Sequence, residues 1–213
     1  MTSPQRFYTE AEYLAFDEAA EGRHEYVNGE IFAMSGGSAE HSLVSTSVLA
    51  ALATAVRGRP CLVFNNDMRL KVDASGMYTY PDVQALCGRP RYLPTRPQTL
   101  VNPSVVVEVL SPSTEAYDRG AKFEHYKLVA SLREYVLVAS EHRYVECYVR
   151  RGAEWVYRSF YGAGDLVELS SVGVALRVGD LYAQVDALGG PTPEPPRTPR
   201  LVREPAPAWG AAV

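Results

Sequence analysis

The chain has 213 residues, 46% hydrophobic and 22% charged, which is enough apolar material for one domain with a real core. Lys plus Arg is 21 and Asp plus Glu is 25, so the net charge is -4. That balance excludes binding of nucleic acid through a global basic field, though not through a local basic cleft. No run approaches the roughly 18 apolar residues of a membrane span, and the first six residues lack the apolar stretch of a secretory signal. Cys61, Cys87 and Cys147 are odd in number, far apart and form no CxxC pair. Such spacing argues against a disulfide scaffold or a thiolate zinc site, and a reducing cytoplasm is the expected compartment.

Thr9-Glu10-Ala11-Glu12 is a capping box with Tyr8 and Tyr13 at the staple positions, predicting a helix to about residue 19. Asn28-Gly29 between 24–27 and 30–34 is the strongest hairpin signal in the chain. After Gly36-Gly37, Ser38 can cap a helix reaching about residue 57, with Val44, Val48, Leu52 and Val56 as its apolar stripe. Three strands are predicted next: 61–64 together with 68–72, then 82–86, then 104–110. The last is the most apolar and should be central, with both faces covered. A helix over 114–129 and a strand over 134–139 then suggest a βαβ crossover. A hairpin over 143–150 and 154–161 turns at Arg151-Gly152, and a helix near 178–185 closes the domain. The fold class is α/β, with a central mixed β-sheet flanked by helices.

From residue 191 to 213 the reading changes. Seven of the 15 prolines fall there, so helix and sheet are both disfavoured. We divide the chain into a domain at 1–190 and a Pro-rich disordered tail at 191–213, where Trp209 is either a docking anchor or a stray aromatic.

Chemistry is suggested where charge interrupts the core. Glu108 sits inside the run Val105-Val106-Val107-Glu108-Val109-Leu110, where an unpaired ionised carboxylate would be very costly. A strand edge or a buried Arg partner would also explain it, as would a bound metal. Asp82, after Pro81, opens a strand and could join Glu108 in an oxygen-rich site for Mg²⁺ or Mn²⁺. Asp118, Lys122 and Tyr126 share a helix face by their four-residue spacing, either toward the acids or as a solvent-facing Asp118–Lys122 pair. Lys127 falls on another face. Glu25 and His41 are polar outliers that capping or helix-dipole roles would explain equally well.

The order His24-Glu25-Tyr26-Val27-Asn28-Gly29-Glu30, His41, Pro81-Asp82-Val83 and Glu108-Val109-Leu110-Ser111-Pro112-Ser113-Thr114 resembles the Uma-type restriction endonuclease family. So does Asp118-x-x-x-Lys122-x-x-x-Tyr126, and the resemblance covers about residues 7 to 185. That family belongs to the PD-(D/E)XK nuclease superfamily. The resemblance implies a restriction-endonuclease-like fold, with Asp82 and Glu108 as metal-binding acids and Glu25 as a further acidic residue. The superfamily's lysine usually lies two residues after the second acid, but here that position is Leu110. The resemblance therefore carries the role to Lys122. It implies metal-assisted hydrolysis of DNA. Asp82, Glu108 and the Val109 carbonyl would hold Mg²⁺ or Mn²⁺, and Arg69, Lys71 or Arg119 would grip phosphates. A homodimer is left open, and so are two rivals. One is a non-catalytic nucleic-acid- or protein-binding module with Asp82 and Glu108 too far apart to share a cation. The other is a structural oligomer with Glu108 neutralised by an Arg.

Truncation after Gly190 is expected to leave the melting temperature nearly unchanged, because the tail contributes neither helix nor sheet. A fall of many degrees on thermal unfolding would show that the tail packs on the domain.

Overall fold

Thr9 begins the first helix, α1 (Glu10–Ala19), by reciprocal capping. Its hydroxyl accepts the Glu12 N–H at 3.2 Å, while the Glu12 carboxylate accepts the Thr9 N–H at 2.7 Å. This is a computed structural model, and it describes residues 6–34 and 36–189. The proposed tail and Trp209 lie outside the described residues.

The hairpin β1 (His24–Val27) and β2 (Glu30–Ala33) turns on Asn28 and Gly29, at φ 52° and 87°. That left-handed pair is what a tight hairpin needs and what Asn-Gly supplies. Ser38 caps α2 (Ala39–Ala55) by accepting the His41 N–H at 3.2 Å. There follow β3 (Cys61–Asn65), β4 (Arg69–Val72), β5 (Met77–Thr79), β6 (Val83–Cys87), β7 (Tyr92–Leu93), β8 (Thr99–Leu100) and β9 (Val105–Leu110). Helices α3 (Glu115–Arg119) and α4 (Ala121–Tyr126) precede β10 (Glu134–Ala139). The hairpin β11 (Val145–Arg151) and β12 (Glu154–Phe160), a second one of β13 (Leu166–Leu169) and β14 (Val174–Arg177), and α5 (Val178–Asp186) complete the order.

Two six-stranded sheets form, in the orders β2-β1-β5-β4-β8-β7 and β12-β11-β10-β9-β6-β3. The second is mixed. Its β9 and β10 are parallel, as the crossover through α3 and α4 requires, while β6 and β11 flank them antiparallel. One face of this sheet (Val83, Val105, Val107, Val109) is covered by Val44, Val48 and Leu52 of α2 and by Leu181 of α5. The other face (Val106, Leu110, Tyr135, Leu137) packs on Val27, Leu70, Val72 and Met77 of the first sheet and on Phe123 and Tyr126 of α4. Strand β9 is thus central and buried along its whole length. Each such valine contributes about 1.5–3 kcal/mol relative to exposure, so two or three offset the several kcal/mol that one buried ion costs.

Three sequence expectations need correction. The helix over 114–129 is broken: the chain turns at Gly120 (φ -107°, ψ -104°), where a Cβ would stand 3.0 Å from the Ala116 carbonyl oxygen. The strands at 61–64 and 68–72 belong to different sheets, and β5, β7, β8 and the β13–β14 hairpin had no counterpart in the sequence reading. Cys61 and Cys87 face each other across β3 and β6 and form a disulfide, while Cys147 is free and buried. Cross-strand register brings the pair together, which chain spacing did not reveal.

Thiol titration of the denatured, unreduced protein is expected to find one reactive cysteine, Cys147. Three reactive thiols would contradict the cross-strand bond.

Candidate active site

Strand alternation turns Glu108 to the same face as Val106 and Leu110, toward the first sheet and α4. There the Lys122 ammonium lies 3.0 Å from Glu108 Oε1, 2.8 Å from Glu25 Oε1 and 3.5 Å from Asp118 Oδ1. All four side chains are buried. The Tyr126 hydroxyl donates to Glu108 Oε1 at 2.6 Å, and the Thr79 hydroxyl on β5 donates to Glu25. Asp82, at the mouth of β6, accepts the Val109 N–H on Oδ2 at 2.7 Å, and His41 Nε2 lies 3.4 Å from the same oxygen. Of these, Glu25, His41, Asp82, Glu108, Val109, Asp118 and Lys122 line one cavity of about 860 Å³.

Three carboxylates therefore contact one ammonium with a fourth, Asp82, close enough to Glu108 to act on it, and the electrostatics show the imbalance. Burial pushes the Glu108 carboxyl up to about 8, against the pull of Lys122, and Asp118 and Asp82 push it further the same way. Burial likewise raises Asp118. Burial alone would lower Lys122, but Glu108, Glu25 and Asp118 outweigh it and hold the amine well above the ordinary lysine value. His41 is raised chiefly by its bond to Asp82, with burial opposing.

The expected site residues Glu25, Asp82, Glu108 and Lys122 are thus brought together, and Val109 joins them through its backbone. Lys122 does pair with Asp118, but from within the cluster and not from a solvent-facing position. Asp82 bonds the residue next to Glu108, and its charge acts on the Glu108 carboxyl. Among the described residues the cation that contacts Glu108 is Lys122 and not an Arg. Arg69 must be dropped as a phosphate contact. It is fully buried, with its guanidinium on Asp17 at 2.6 Å, Thr99 at 2.8 Å and the Pro97 carbonyl at 2.8 Å. Lys71 is engaged by Glu10 at 2.7 Å, and Arg119 by Glu115 and Glu146.

Sequence reasoning missed the place of His41 and Thr79. His41 stood out as a polar outlier, but a capping or helix-dipole role explained it equally well, and nothing in the sequence marked Thr79. Asp118 carried a signal, its four-residue spacing from Lys122, which left open a face toward the acids or a solvent-facing ion pair.

The donor set fits a hard divalent cation. The bonds described above fall on Oε1 of Glu108 and Oδ2 of Asp82, so each acid keeps its other oxygen outside them. Among the described residues no group of three or more His, Cys, Asp or Glu side chains forms a ready-made metal cage. Mg²⁺ does not need one, since it is commonly held by one or two carboxylates with water and substrate oxygens.

Over residues 10–179 the chain matches the Uma2 family, described as "Putative restriction endonuclease". It is 38% identical over 172 residues to the uncharacterised protein slr1290 of Synechocystis sp. (strain ATCC 27184 / PCC 6803 / Kazusa), covering 80% of this chain and 89% of that protein. To sll1609 of the same organism it is 32% identical over 166 residues, 78% and 94% of the two chains. Its fold superposes with a TM-score of 0.68 on the crystal structure of "a putative nuclease belonging to DUF820" from Anabaena variabilis ATCC 29413. The identity there is 19%, over 82% of this chain and 97% of that one.

Because the folded pKa of Glu108 lies above its ordinary value of 4.5, the associated stability is full below about 4.5 and is lost as pH rises through about 8. In EDTA, Glu108→Gln is therefore expected to melt above wild type at pH 8–9, with the difference vanishing toward pH 5. A variant that melts below wild type at every pH would mean that the Lys122 pairing outweighs burial. Lys122→Ala strands buried carboxylates and is expected to cost about 3–5 kcal/mol at alkaline pH, and less where the acids hold protons. Denaturant melts at both pH values check this.

Proposed function

The chain belongs to the Uma2 family, and from that premise we propose that it is a metal-dependent endonuclease that hydrolyses phosphodiester bonds of DNA. The observation that carries this reading is the buried cluster of three carboxylates around Lys122, with Asp82 close by, at the edge of one cavity. Such an excess of negative charge is stabilised by a cation, and buried charges are usually paired or metal-bound.

Asp82, Glu108 and the Val109 carbonyl oxygen would hold Mg²⁺ or Mn²⁺. When bound, the ion supplies Lewis acidity toward a phosphate oxygen and lowers the pKa of a coordinated water. The remaining work falls to the chain's own groups. Lys122, kept protonated by its three acids, faces the cavity as a fixed positive charge that can stabilise charge developing on a phosphate. Glu25 and Asp118 hold the ammonium in place from β1 and α3, so it need not reorganise as the reaction proceeds. Tyr126 fixes one oxygen of Glu108, and the Val109 N–H with His41 fixes one oxygen of Asp82. Each acid is thereby oriented with its other oxygen available.

Plasmid cleavage in Mg²⁺, Mn²⁺ and EDTA tests the proposal. Asp82→Ala and Glu108→Gln are expected to lower the cleavage rate by 100-fold or more and to weaken Mn²⁺ binding by calorimetry. Lys122→Arg keeps the charge but not the compact shape. It should cleave slowly while binding Mn²⁺ nearly as wild type does. Wild-type cleavage by Glu108→Gln would overturn the catalytic reading.

A further inference from the structure

A second pocket, of about 520 Å³, is lined by Phe123, Lys127, Tyr148, Arg150, Gly152, Ala153 and Trp155. Its wall is aromatic. Phe123 lies 4.5 Å from Tyr148 and edge-on to Trp155 at 5.3 Å, and Tyr148 continues to the exposed Tyr157 at 5.2 Å. Two cations border it, with Arg150 over the Trp155 ring and Lys127 over the Phe123 ring, each at 4.6 Å.

The cations are incompletely neutralised. Arg150 donates to the backbone carbonyls of Lys127 and Val129, not to a carboxylate, and its buried Nε has no hydrogen-bond partner among the described residues. Burial, and after it the charge of Arg133, lower the Arg150 pKa. Lys127 meets the highly exposed Glu124 at 2.6 Å, a pair that solvent screens. The pocket also lies on the catalytic face of the sheet. Glu108, Leu137 and Glu146 are register partners across β9, β10 and β11, so β11 stands roughly 10 Å from Glu108. Tyr148 and Arg150 follow Glu146 on that same face. One helix, α4, thus turns Lys122 toward the acids and Phe123 toward the pocket.

We propose that this pocket binds an unpaired nucleotide of a nucleic-acid strand, its base against the Tyr148–Trp155 wall and its phosphate at Arg150 and Lys127. The inference rests on the nuclease reading and adds a preference for single-stranded or unpaired substrate. Aromatic platforms beside cations suit splayed-out bases of any sequence, whereas a duplex keeps its base faces stacked inside.

The test uses the full chain with Trp209→Phe, which leaves Trp155 as the one tryptophan of the two in the sequence. In EDTA, an oligodeoxythymidylate of about 20 nucleotides is expected to quench Trp155 fluorescence and to bind at least tenfold more tightly than a duplex of equal length. By anisotropy of a labelled strand, Trp155→Leu should weaken binding about tenfold. Lys127→Ala, at a partly exposed position that spares the core, should reduce the salt slope by about one counterion.

Strand binding unaffected by either pocket substitution, or no Trp155 quenching, overturns the inference. So does a dimer that dissociates on Trp155→Leu without any effect of DNA, which would assign the pocket to a second copy. A protein that cleaves plasmid but shows no quenching loses the pocket and keeps the chemistry. One that quenches but never cleaves keeps the pocket and loses the chemistry.

Discussion

Lys122 is the constraint on which the site depends. A buried ammonium contacts Glu25, Glu108 and Asp118, drawn from three separate elements, while Asp82 adds a fourth negative charge nearby. Neither the acids nor the lysine could be buried alone at tolerable cost, so each fixes the others. The pairing is unequal, however, and a carboxyl at the centre of the sheet keeps its proton well above the ordinary glutamate range. The fold bears this charge imbalance within a valine-rich strand whose burial offsets it.

The two sheets make the arrangement possible. The first brings Glu25 from β1 and Thr79 from β5. The second brings Glu108 at its centre and Asp82 at the mouth of the neighbouring antiparallel strand. The broken crossover α3–α4 then closes the gap between them. Its bend at Gly120 still lets Asp118, Lys122 and Tyr126 converge on the acids, while Phe123 and Lys127 face the aromatic pocket.

Much of this was legible in the chain. A glutamate inside six consecutive apolar-strand positions cannot be ordinary, and Asp118-x-x-x-Lys122-x-x-x-Tyr126 marked one face whether or not the helix was continuous. That same spacing concealed the break, because a kink at Gly120 preserves the four-residue pattern. Strands of two or three residues, such as β5, β7 and β8, are too short for alternation to register. Other features depend on register and long-range contact. Cys61 meets Cys87 only once β3 lies beside β6, and Arg69 is satisfied by Asp17, 52 positions earlier in the chain. His41 reached Asp82 through the placement of α2, which no local signal specified.

The central claim is that the acid cluster is completed by a divalent cation, and thermal unfolding of wild type and Glu108→Gln at pH 8 with and without Mn²⁺ tests it most directly. Mn²⁺ at about 100 times its dissociation constant should stabilise wild type by about 2.7 kcal/mol and leave the variant unmoved. The difference in melting temperature expected in EDTA would then narrow or invert. Equal shifts in both proteins, or none in wild type, would contradict the account.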